Sequence, residues 1–317
     1  MRLRSFLWVA LGALVLAEIG YPLVEGAVRA RLVVVTVVVG YAISVAHAAL
    51  RRAAVPLILV TTGGGFAVEA LGVATGLPFG SYAYSDLLGP RLLGVPLVIP
   101  LAWTWMAWPA WLAAGRIAPS LQVPVAGVAL ASWDLFLDPQ MVAEGYWVWR
   151  DPQPALPGVP DVPVSNYLGW LVVAVALMAL LSRLLRRWSR LLRRWSLLLR
   201  RWSLLLRRWS RLLRRWSLLL RRWSRQRDSR TPNGTGSTSV YADAPMYALY
   251  LWTYASGVLA HAVFLGLPAS AAWGGLGMGL VAIPLAVRLA SPPNRAPLCP
   301  RRRLQGRPPQ QQGKDVA

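Results

Sequence analysis

One cysteine and twelve acidic residues are all that 317 positions contain of either kind, and both scarcities exclude something. Cys299 stands alone in a Pro/Arg-rich tail, so neither an intrachain disulfide nor a multi-cysteine metal site can form. Charged residues make up only 15% of the chain against 56% hydrophobic ones, with a mean hydropathy of +0.45. A soluble domain of this size needs far more charge to keep its surface wet, and the apolar residues fall in blocks, which points to lipid. The shortage of acids leaves a net charge of +22, a figure that suggests a polyanion partner until it is located. Sixteen of the 34 basic residues are arginines between Arg183 and Arg225, a stretch with no acid, and without them the balance is +6. Most of the remainder sits in short loops and tails, where it orients a membrane protein, so nucleic acid is not an expected partner.

Crossing a hydrocarbon core takes about 20 mostly apolar residues in a helix. Eight stretches qualify: Phe6 to Val24, Leu32 to Leu50, Ala53 to Gly72, Val95 to Ala114, Gln122 to Asp138, Tyr167 to Leu185, Met246 to Leu267 and Ala271 to Leu289. The expected fold is therefore all-α, a polytopic transmembrane helical bundle of about eight spans. The first run follows Arg2 and Arg4 as a signal peptide would, but it is long, carries Glu18 and lacks a small-residue cleavage site, so it is read as a span. Arg2, Arg4, the Arg51-Arg52 pair, Arg116, the arginine stretch and Arg301 to Arg303 all fall on one side of this arrangement. That side is expected to be cytoplasmic, which places the chain in the cell membrane with both termini inside.

Residues 183 to 224 are six tandem heptads of the form [R/L]-L-L-R-R-W-S, with tryptophan at 188, 195, 202, 209, 216 and 223. Leucine and tryptophan share one helix face and arginine the other, the pattern of a cationic helix lying on the inner leaflet as an anchor for anionic lipid. The plainer reading, a tandem duplication in a permissive cytoplasmic loop, is preferred, because long loop insertions cost little stability. The expected division is 1–182 for spans one to six, 183–225 for the cytoplasmic amphipathic heptads and 226–244 for a linker. Spans seven and eight then occupy 245–290, and 291–317 is a disordered tail.

Ionisable groups at membrane depth cost roughly 2.5 to 3.5 kcal/mol each on insertion scales, so each one invites a functional reading. Glu18, Glu69, Asp134, Asp138 and His261 all fall in the outer half of their spans, whereas His47, near the inner end of span two, reads as an ordinary interfacial histidine. Asp134 and Asp138 are one helical turn apart and share a face. Two carboxyls held together out of water cannot both ionise easily, so one stays protonated at neutral pH and can donate a proton. The plainer alternative has Asp138 end its helix before Pro139 while Asp134 hydrogen-bonds a neighbouring helix. The loops Phe79 to Tyr84 and Gly145 to Trp149 bring rings to the same outer level, commonly an interfacial aromatic belt. Acids beside aromatic faces also suit protonation of an alkene, because the rings stabilise the carbocation.

Three stretches carry a resemblance. They are Glu69 through Thr75-Gly76-Leu77-Pro78-Phe79-Gly80 to Tyr84; Leu88-Gly89-Pro90 through Gly94-Val95-Pro96 to Trp103; and Trp133-Asp134-Leu135-Phe136-Leu137-Asp138-Pro139 with Gly145-Tyr146-Trp147 and Val164-Ser165-Asn166-Tyr167-Leu168-Gly169-Trp170. In these the chain resembles the carotenoid biosynthesis protein family of bisanhydrobacterioruberin hydratase and related carotenoid hydratases, from about span two to span six and more weakly beyond. The resemblance implies an integral membrane enzyme that adds water across a near-terminal double bond of an acyclic carotenoid end group, with no cofactor. It implies membrane lipid and carotenoid as partners, with other carotenoid biosynthesis enzymes as candidates. The tryptophan heptads depart from the family pattern. On the residues' own chemistry, the expected catalytic set is Asp134, Asp138 and Glu69, and the expected substrate-binding set is Tyr82, Tyr84, Trp133, Trp147, Trp149 and His261, with no metal. Two alternatives stay open: a proton-coupled transporter, which should show repeats with interrupted helices in corresponding positions, and a non-catalytic scaffold for other carotenoid enzymes.

Overall fold

A computed structural model describes residues 2–218 and 239–291. The end of the heptads, most of the expected linker and the expected tail, Cys299 included, lie outside the described residues. Among the described residues nine helices account for the apolar blocks: α1 (Arg2–Gly20), α2 (Gly26–Leu50), α3 (Ala54–Thr75), α4 (Ile99–Ile117), α5 (Gln122–Ala131), α6 (Asp134–Ala143), α7 (Val164–Leu218), α8 (Ser239–Leu259) and α9 (Pro268–Ala290). Among the described residues six helical stretches are long and apolar enough to cross a membrane: Ser5–Leu23, Gly26–Leu50, Ala54–Thr75, Pro119–Ala143, Val164–Leu199 and Pro268–Ala290. The other two expected spans are helices as well, but less apolar. In α4 the cause is four tryptophans and two prolines. Both sit inside the bundle, with α4 packed against α2, α5, α8 and α9.

Four details depart from the expectations. The linker expected to reach 244 gives way to helix at Ser239. The heptads do not form a separate helix, because α7 runs unbroken for 55 residues out of span six. No glycine or proline follows Gly169 within it to stop the helix, which is about 80 Å long at the usual rise. Span five is two helices joined at Ser132-Trp133, and Asp138 does not end the second, which continues through Pro139 to Ala143. Finally, α3 contains a wide turn at Ile58–Gly63, where the Thr61 hydroxyl donates to the Leu57 carbonyl (2.8 Å) and lies 2.7 Å from Thr104 of α4.

The polar connections matter less to this bundle than close approach of small residues, since lipid offers no hydrophobic force between helices. A Cβ on Gly127 of α5 would stand 2.4 Å from Val175 Cγ2 and 3.0 Å from Val175 Cα, so the backbones of α5 and α7 touch there. Gly127→Ala is expected to lower stability by about 1–3 kcal/mol, because backbone must move to admit the methyl; a melting temperature equal to the parent's would contradict this packing.

Candidate functional site

Two loops at one end of the bundle join as a ribbon. Strand β1 (Tyr82–Tyr84) leads; β2 (Arg91–Leu92) and β3 (Val95–Pro96) form a small hairpin beside it, and β4 (Trp147–Trp149) pairs antiparallel with β1, Tyr82 opposite Trp149 and Tyr84 opposite Trp147. A second hairpin, β5 (Ala155–Leu156) with β6 (Val159–Pro163), leads into α7. Because strand side chains alternate, Tyr82, Tyr84, Trp147 and Trp149 all face inward while Ala83 and Val148 face out. The rings pack edge to face, with Tyr84 and Trp147 centroids 5.6 Å apart and Tyr82 and Tyr84 5.4 Å apart.

Beneath the ribbon lies Glu69 of α3, buried and held by three donors. Its Oε2 accepts from Tyr82 Oη (2.7 Å) and Tyr84 Oη (2.8 Å), and its Oε1 from Trp103 Nε1 (3.0 Å). Burial, and then the neighbouring carboxylate, push both phenols above the ordinary tyrosine range, so they remain donors. Gly65, one turn before Glu69, lets the Trp103 ring approach: a Cβ there would be 2.7 Å from Trp103 Cγ. Trp103 in turn stacks on Trp170 of α7 at 3.9 Å between centroids.

Asp134 and Asp138 of α6 are bridged by Asn166 at the start of α7, which donates through Nδ2 to an oxygen of each, at 2.8 Å to Asp134. One amide thus brings the two carboxyls together at the start of α7. Asp134 is wholly buried and its Oδ1 has no donor, whereas Asp138 reaches a small cavity that Glu69, Tyr82, Tyr84, Trp147 and Trp149 also line. Six of the expected site residues thus converge, with Asp134 one layer behind them.

Trp133 and His261 do not join that group. They line a larger, mostly apolar cavity, which shares Ile99, Ala102, Leu137 and Trp147 with the small one. Glu18, Tyr21 and Gln140 are among its other polar members, with Thr36, Thr253 and Ser256. Ser270 donates to the Leu135 carbonyl (2.7 Å) and its Oγ lies 2.9 Å from His261 Nδ1, while His261 Nε2 lies 3.3 Å from Gln140 Oε1. Glu18 accepts from Trp252 Nε1 at 2.5 Å. Asn166, Trp103 and Trp170 belong to the site but not to the expected set, although all three stand in the stretches that carry the resemblance. Among the described residues no group of three or more His, Cys, Asp and Glu side chains is placed to hold a metal ion.

His47 is not an interfacial histidine. It is buried: Trp108 Nε1 donates to its Nδ1 (2.9 Å), so its Nε2 carries the proton and donates to the Ala242 carbonyl (3.0 Å). Asp243 lies 3.4 Å from the same nitrogen and takes two hydrogen bonds from Arg51, which ties the end of α2 to the start of α8. Burial alone would raise the Asp243 carboxyl; the bonds from His47 and Arg51 outweigh it and hold it below its ordinary value. The stabilisation is therefore complete above the ordinary carboxyl range and lost as pH falls through the lowered value. Asp243→Asn is expected to cost about 1–3 kcal/mol near neutral pH, the range of hydrogen bonds to charged groups, and an unchanged melting temperature would refute the clamp.

Residues 26–208 match the model of a family described as carotenoid biosynthesis protein. The match takes in spans two to six and extends into the heptads. A curated relative, the bisanhydrobacterioruberin hydratase of Haloarcula japonica, is 38% identical over 139 residues, covering 40% of this chain and 45% of that protein. The chain thus spans less than half the length of that relative. No solved structure matches the chain.

Proposed function

The chain belongs to the carotenoid biosynthesis protein family, and from that premise we propose that it is a membrane-embedded hydratase acting on an acyclic carotenoid end group. One observation carries the reading: two buried carboxyls bridged by the Asn166 amide open, through Asp138, onto an aromatic cavity that Glu69, fixed by three donors, also lines. The large cavity takes the apolar chain from the bilayer and the small one its tip.

Asp138 gives its proton to the outer carbon of the double bond, whose electron pair forms the new C–H bond and leaves a tertiary cation. Glu69 and the faces of Tyr82, Tyr84, Trp147 and Trp149 stabilise that cation. Glu69 acts as counter-charge rather than as holder of the water, because its oxygens already accept three hydrogen bonds. Water adds to the cation and the surplus proton returns to the Asp134/Asp138 pair, which restores the acid. The polar wall of Tyr21, Gln140 and His261 gives water a place beside the chain.

The test is expression of the full chain in a host that makes acyclic carotenoids, with mass spectrometry for a product heavier by one water. Absence of that product from several acyclic substrates would remove the reading. One observation favours the transporter instead, namely the break between α5 and α6 that seats Asp134 at a helix start within the bundle. Proton flux across vesicles containing the chain, without a hydrated product, would select it.

A further inference from the structure

At the arginine-rich end of the bundle, apart from Glu69, Asp134 and Asp138, the turn between α2 and α3 faces the first two heptads of α7 across an open groove. Arg51, Arg52 and Arg193 line it together with Leu185, Trp188 and Leu192. The turn is built to present these groups. Arg51 is fixed by Asp243, which matches its charge, and Arg52 is held in the left-handed region at φ 56°, closing a tight reversal that the Ala53 amide completes on the Ala48 carbonyl at 2.8 Å. Among the described residues no acid lies within ion-pairing distance of Arg52 or Arg193. The groove therefore joins two uncompensated guanidinium groups to an apolar floor, where α7 leaves its apolar, buried section at Leu181 and becomes exposed.

We propose that this groove binds the phosphate of an anionic phospholipid, with Arg52 and Arg193 on the phosphate oxygens and an acyl chain along Leu185, Trp188 and Leu192. Guanidinium forks suit phosphate, and tryptophan beside them suits the headgroup level of a bilayer. Basic pockets between helices at one face of a membrane are the setting in which acidic headgroups are recognised. The site gives the first heptads a role that a flat anchor does not: they form one wall of a pocket whose other wall is the Arg51-Arg52 turn. It is independent of the proposed reaction.

The experiment is native mass spectrometry of the full chain in detergent, titrated with phosphatidylglycerol or phosphatidylcholine. Arg52→Gln/Arg193→Gln is compared with Arg187→Gln/Arg194→Gln, which removes the same charge from the opposite face of α7. The wild-type chain is expected to retain phosphatidylglycerol over phosphatidylcholine. The groove variant should weaken that binding by about tenfold or more, given the usual contribution of each arginine near an acidic surface, and the control by no more than about twofold. Equal losses in the two variants would show a diffuse field and overturn the site. So would an absence of headgroup preference, or inorganic phosphate held as tightly as the lipid. Arg52→Gln alone, outside any helix, keeps the comparison decisive if the double variant fails to fold.

Discussion

Asp138→Asn is expected to leave a folded, membrane-inserted chain in which the hydrated carotenoid falls by about 10²–10⁴-fold, the range of a lost general acid. The amide preserves the shape of the side chain and can still meet Asn166 and Asp134, so the helix contacts around α6 survive. What it lacks is a proton for the double bond. Asp134→Asn is expected to act by a different route. Its amide would donate to Asp138 and hold that group as a carboxylate, so the residue that touches the cavity would have no proton to give. A product yield in both variants equal to the parent's would remove the carboxyl pair from the mechanism. Loss in Asp134→Asn with full activity in Asp138→Asn would reverse their order, and would require the end group to reach the inner carboxyl.

Much of the bundle was legible because its signal is local. Each apolar block became a helix, and α4 and α8 did so despite tryptophan and tyrosine. The breaks were less legible. Pro139 looks like a helix end, yet only one backbone donor is lost there and packing against α9 and α7 carries the helix on. The ribbon had a readable sign, since Tyr82-Ala83-Tyr84 and Trp147-Val148-Trp149 both alternate ring and small or aliphatic residue, but three residues are too few to announce a strand until the two loops meet. Depth in the bilayer grouped Glu18, Glu69, Asp134, Asp138 and His261 together, and depth has no azimuth. Packing of α1 against α8 sends Glu18 to Trp252, and the turn after α8 sends His261 to Ser270, so those two face the large cavity and not the carboxyl pair. His47 escaped for the same reason. Its partners Trp108 and Ala242 are 61 and 195 residues away in sequence.

Glu69→Gln separates counter-charge from architecture. The three donors that converge on Glu69 suit a group that only accepts, and glutamine offers one accepting oxygen and one donating nitrogen. With its nitrogen toward Trp103 two donors oppose each other; turned toward the phenols the nitrogen can donate to a phenol oxygen, so the loss is that of the charge-assisted hydrogen bonds, about 1–3 kcal/mol. Tyr82→Phe and Tyr84→Phe each delete one hydrogen bond to Glu69 and leave its carboxyl in place. If Glu69 only braces the ribbon, all three variants should lose stability and activity in parallel. If it faces the developing cation, Glu69→Gln is expected to lose about 10²–10³-fold in turnover, the size of one preorganised electrostatic contact, while the carotenoid concentration for half-maximal rate changes little. The phenylalanine variants should then lose about tenfold or less, as neutral hydrogen bonds worth roughly 0.5–1.5 kcal/mol do. Rates measured in membranes against carotenoid concentration, beside melting temperatures for the same three variants, decide between them. Turnover in Glu69→Gln no lower than in the tyrosine variants would make Glu69 a brace and leave the aromatic faces as the sole support of the cation.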